Sequence, residues 1–132
     1  MMEWGIKFEK DGSLISITAS GIPDIEGFRS YLQAITSSPD WRPGIPVLCD
    51  LRNLDTSKVT ATVIRGVVDL HVELTDRYWS SPVAVVVSRP VDFGMVRMFE
   101  AYTRNMCPEY EVFYSVEDAL EWLRKNSRRA PS

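Results

Sequence analysis

The chain reads as a single α/β domain of order ββαβαβαβα, a five-stranded mixed sheet, mostly parallel, with four helices packed against it. Three observations predict this. The spacing of apolar residues switches repeatedly between a period of two and steps of three and four. Pro82-Val83-Ala84-Val85-Val86-Val87 is apolar without alternation, as expected of a central strand covered on both faces. A length of 132 residues, 45% of them hydrophobic and 25% charged with a net charge of -3, suits one globular core. Right-handed crossovers then arrange the later strands in parallel.

Each element has its own signal. Trp4, Ile6 and Phe8 alternate with Glu3, Lys7 and Glu9, and the alternation resumes at Leu14-Ile15-Ser16-Ile17-Thr18 beyond Asp11-Gly12, which predicts a hairpin. Asp24 is placed to cap a first helix carrying Ile25, Phe28, Leu32 and Ile35, ending near Ser38-Pro39. Val47-Leu48-Cys49-Asp50-Leu51 is a short buried strand. From Lys58 to Tyr78 the valines favour extended structure by propensity, yet Lys58, Thr62, Arg65, Asp69, Glu73 and Asp76 form a polar stripe opposite Val59, Val63, Val67, Leu70 and Leu74. That periodicity predicts a second helix. A third follows Arg89-Pro90 with Met95, Met98, Phe99, Tyr102 and Met106 inward. Glu111 to Tyr114 is the last strand, and Ser115-Val116-Glu117-Asp118 opens a fourth helix with Val116, Ala119, Leu120 and Leu123 inward. The expected domain covers 1–126, with 127–132 as a flexible tail.

Composition and motifs exclude several functions. The acidic balance offers no basic field for a nucleic-acid backbone. No stretch reaches the roughly 18 apolar residues of a membrane span, and the amino end lacks a signal sequence, so a cytoplasmic address is expected. Two cysteines, Cys49 and Cys107, make no disulfide framework and read as reduced thiols. A single histidine, His71, supports neither a histidine metal site nor a hydrolase triad. Val47-Leu48-Cys49-Asp50 looks like a strand ending in a magnesium-binding Asp, but no Walker sequence and no G-x-G-x-x-G turn accompanies it. No catalytic residue, metal or cofactor is expected.

Candidate function gathers where loops leave the carboxyl ends of the parallel strands, at Arg52 to Ser57 and Ser88 to Gly94. If Asp55-Thr56-Ser57 starts the second helix, its free N-H groups and two guanidiniums, Arg52 and Arg89, form an anion site. The alternative is that the three residues cap the helix while Arg52 and Arg89 pair with Asp50 or Asp92. Phe93, Met95, Met98, Phe99 and Tyr102 either line an apolar pocket whose acidic or lipid ligand Arg52 or Arg89 holds, or fill the core. Trp41, Tyr78 and Trp79 near predicted loops leave a homodimer open.

The element order, with Val47-Leu48-Cys49-Asp50-Leu51 followed by Asp55-Thr56-Ser57 and a helix, resembles the STAS domains of anti-sigma-factor antagonists. Asp40-Trp41-Arg42-Pro43-Gly44, Val47 to Arg52, Arg89 to Phe99 and Ala119-Leu120-Glu121-Trp122-Leu123 look like a bacterial STAS-like (SpoIIAA-like) branch grouped with lipid-carrier CRAL-TRIO domains. The resemblance implies a non-enzymatic regulatory module with a kinase-like or sensor protein as partner. It also places Thr56 or Ser57 at the position where antagonists are phosphorylated by their partner kinase. Where those proteins carry Asp-Ser-Ser-Gly, this chain has Asp-Thr-Ser-Lys.

Overall fold

The computed structural model describes residues 2–9, 13–42, 44–74, 82–103 and 110–127. Its elements are β1 (Met2–Phe8), β2 (Ile15–Gly21), α1 (Ile25–Thr36), β3 (Val47–Leu54), α2 (Ala61–Leu74), β4 (Val83–Val86), α3 (Pro90–Thr103), β5 (Tyr110–Phe113) and α4 (Val116–Ser127). They form one sheet in the order β1-β2-β3-β4-β5, with β1 antiparallel to β2 and the other pairs parallel. Element order and mixed sheet are those the sequence predicts. The hairpin turn at Asp11-Gly12, residues 75–81 with Tyr78 and Trp79, Met106, Cys107 and the tail from 128 lie outside the described residues.

Parallel neighbours in sequential order, joined by crossovers of one hand, place all the connecting helices on one face. Accordingly α1, α2 and α3 share a face and α4 packs on the other. The strands divide their side chains by the two-residue pleat. Val47 and Cys49 of β3 and Val83, Val85 and Val87 at β4 face the three helices, whereas Leu48, Ala84 and Val86 face Ala119 and Leu123 of α4. Both faces of β3 and β4 are therefore apolar, which explains the missing alternation. On β2 the helix-facing Ile15, Ile17 and Ala19 are buried, while Ser16, Thr18 and Ser20 between them are not, because α4 covers only β3 to β5.

Caps fix most helix starts where the sequence puts them. Asp24 Oδ1 accepts from Gly27 N-H at 2.6 Å, and Ser115 Oγ accepts from Asp118 N-H at 3.3 Å. In α3, Pro90 occupies the first helical position and the Arg89 carbonyl accepts from Phe93 N-H at 3.0 Å.

Two boundaries differ from expectation. Strand β3 runs three residues past Leu51, because a bulge lets Asn53 and Leu54 pair with Ser20 and Gly21. The second helix begins at Ala61 rather than Lys58: Thr60 is its cap, accepting from Val63 N-H at 3.3 Å, and its last described residue is Leu74. Ser57 and Lys58 instead form a turn in which Val59 N-H donates to the Thr56 carbonyl.

Candidate functional site

The carboxyl ends of β3 and β4 are tied to their neighbours before any functional side chain is placed. Asp55 N-H donates to the Gly21 carbonyl at 2.8 Å, and Gly21 takes φ +83°, a conformation open to glycine. Ser88 Oγ donates to the Arg52 carbonyl at 3.3 Å. Asp55 Oδ1 accepts from Ser57 N-H at 3.1 Å and draws Thr56 and Ser57 into a tight loop. Ser57 is exposed, whereas Thr56 is half-buried and points toward α3.

Thr56 there joins a three-residue network. Its hydroxyl donates to Asp92 Oδ1 and accepts from Arg89 Nη2 at 2.8 Å. Arg89 also grips Asp92 with two bonds, Nε to Oδ2 at 3.0 Å and Nη2 to Oδ1 at 3.1 Å. Asp92 is the one buried charged side chain among the described residues, at 4% exposure. Burial raises its pKa, but the hydrogen bonds from Arg89 and Thr56 outweigh this and leave it below the ordinary carboxylate value. Its place in the first turn of α3 also suits a negative charge.

Arg52 belongs to a separate pair. Its Nε and Nη2 donate to the two oxygens of Asp50 at 2.9 and 2.8 Å, which lowers the Asp50 pKa. Asp50 shares the pleat of Leu48, so this pair lies on the α4 face of the sheet. The Thr56–Asp92 network faces α2 and α3. The structure does not bring Arg52 and Arg89 together around one anion: each is held by its own carboxylate, on opposite faces of the same sheet edge. Nor do Asp55, Thr56 and Ser57 offer a helix N-terminus, because the cap lies at Thr60.

Beside the network, between the sheet and α2, is a half-open cavity of about 120 Å³. Cys49, Leu51, Val85 and Val87 form its floor, Val59, Val63, Ile64 and Val67 its roof, and Met95, Val96 and Phe99 one wall, with Thr56 and Asp92 at the rim end. Short side chains face each other across it: valines of β4 below, valines of the α2 segment above. Burial pushes the Cys49 thiol up to about 12, with a smaller contribution from Asp50.

Of the five α3 residues expected along a pocket, Met95 and Phe99 line this cavity. Phe93 stacks on Tyr114 with ring centres 4.9 Å apart. Met98 and Tyr102 are 43% and 45% exposed, and Arg65 of α2 lies 5.8 Å from the Tyr102 ring centre. The inward face of α3 is thus Asp92, Met95, Val96 and Phe99, which turns Met98 and Tyr102, expected inward, toward solvent. Sequence reasoning missed the floor and roof altogether. The available signal was the run of β-branched side chains in α2 set against a valine strand.

Among the described residues no cluster of His, Cys, Asp and Glu is arranged to hold a metal, and no helix is long and apolar enough to cross a membrane. No protein-family model matches the chain, and no curated protein matches it. Solved structures do. An uncharacterized protein of the DUF3478 family from Shewanella loihica, described as having a SpoIIAA-like fold, superposes with a TM-score of 0.61 at 20% identity over 92% of this chain and 93% of its own. An anti-sigma factor antagonist from Mycobacterium paratuberculosis superposes with a TM-score of 0.59 at 14% identity, covering 94% and 95%. The fold of this chain is therefore SpoIIAA-like, the architecture of STAS domains.

Proposed function

We propose that the protein is a non-enzymatic regulatory module that binds a protein partner at the carboxyl edge of its sheet. One observation carries the reading. Three large apolar side chains stand exposed at that edge: Ile22 after β2 at 41%, Val91 in the first turn of α3 at 54% and Tyr114 after β5 at 51%. Between these flanks lie exposed polar groups, Ser57, Asp55 and Arg89. Apolar anchors beside polar groups are the usual make-up of a protein interface. The fold shared with an anti-sigma factor antagonist supports a regulatory role with a protein partner; the partner proposed here is kinase-like or sensor in character. Ser57, exposed in the turn before α2, is the position where an added phosphate would change the charge of this surface, and Thr56 is occupied by Asp92 and Arg89.

The test places a photo-crosslinking residue at position 91, and in a control at Glu121 on α4, identifies the captured protein and reconstitutes the pair. Val91→Ser with Tyr114→Ser is expected to weaken the purified complex about a hundredfold, as loss of two large apolar anchors does. Crosslinks concentrated at position 121, or binding that survives the double variant, would exclude this edge as the docking surface.

A further inference from the structure

We propose that the cavity beneath α2 binds a compact, uncharged, apolar molecule about the size of one aromatic ring. This goes beyond partner docking and does not depend on it.

Size is the first constraint. An engineered apolar cavity of about 150 Å³ in another protein stays dry and takes up benzene. The cavity here, about 120 Å³ and half-open, suits a similar occupant and leaves an extended acyl chain too little enclosed room. Charge is the second. At the rim end the wall is polar, but Thr56, Asp92 and Arg89 already satisfy one another. A carboxylate or phosphate seated there meets the Asp92 carboxylate and has to draw Arg89 away from it. An ammonium group finds the Asp92 charge already neutralised by Arg89. Either ion is desolvated without a new partner, a cost that an uncharged molecule avoids.

Access is the third. The floor residues Cys49, Val85 and Val87 are buried, while Val63, Ile64, Met95, Val96 and Phe99 are half-buried, so the cavity is more accessible on its α2 and α3 side than at its floor. Helix α2 packs chiefly on its two neighbouring helices rather than on the strands below. Arg29 to Glu73 at 3.3 Å and the close approach of Gly66 to Ile25 hold it to α1, and Arg65 over Tyr102 holds it to α3. None of these residues lines the cavity.

The proposal is tested on the full chain by titrating toluene and indole, with benzoate as the charged counterpart, while following valine methyl resonances and thermal unfolding. Saturable shifts are expected at Val63, Val85 and Val87 but not at exposed Val91, with a raised melting temperature. Benzoate is expected to bind about tenfold or more weakly. Val63→Phe, which fills the roof, is expected to weaken toluene and indole binding by about tenfold or more; if it fails to fold, Val59→Phe, ahead of the helix, takes its place. No saturable shift with either neutral probe overturns the site. Undiminished binding in the filled variant, or shifts centred on Val91, place the probe elsewhere and overturn it too. Benzoate binding as tight as toluene overturns the preference for an uncharged ligand.

Discussion

Asp92 shows how one side chain can be costly to bury and still hold a site together. Its carboxylate is out of water, and Arg89 and Thr56 replace the water it has lost. Asp92→Asn keeps the shape and removes the charge, and is expected to cost on the order of 2 kcal/mol at neutral pH. Because the native pKa lies below the unfolded one, this stabilisation is complete above the ordinary carboxylate value of about 4 and is lost as pH falls through the native value. Urea unfolding of both proteins at about pH 7 and about pH 3 should therefore show a gap that narrows in acid; a gap of constant size would separate Asp92 from the charge effect. Cys49 gives a second expectation. With its thiol near 12 and its side chain buried, a Cys107→Ser variant should react with a thiol reagent at neutral pH only as fast as the protein opens. Rapid labelling without denaturant would show the floor of the cavity open to water.

At the scale of elements, the start of α2 is the most informative difference between pattern and structure. The polar stripe from Lys58 onward continues the helical period, so periodicity alone extends the helix backward to include it. Local hydrogen bonding decides otherwise: Asp55 captures Ser57 N-H, and Thr60 supplies the cap. Thr60→Ala is expected to lower stability by about 1 kcal/mol, and Ser57→Ala to change it by less than about 0.5 kcal/mol. Equal losses in chemical denaturation would return the cap to Ser57. The strands, the Asp24 and Ser115 caps and the inward faces of α1 and α4 were legible because each rests on neighbours in sequence. The continuation of β3 was not, since Asp50-Leu51-Arg52-Asn53-Leu54 carries no alternation once a bulge interrupts the pleat. Of the site, Arg89 and Thr56 stood out as polar residues at strand ends. Their engagement through Asp92 and the cavity beside them depend on helices meeting across the sheet, which no local period encodes.

For the whole molecule, the arrangement of three helices on one face and one on the other sets where it yields first. Strands β3 and β4 are buried on both faces, while α2 rests on its neighbouring helices above a space. Hydrogen exchange followed by mass spectrometry should find the amides of Ala61–Leu74 exchanging well before those of Val47–Asp50 and Val83–Val86. Simultaneous exchange of all three segments would mean that α2 is as firmly seated as the strands. The sheet order has a separate consequence. Each strand lies beside its neighbour in sequence, so no pairing waits for a distant part of the chain and none needs more than one intervening helix. During synthesis the sheet can grow by accretion from β1 toward β5, each newly released strand docking on an edge already built, and the face that α4 seals is the last to close.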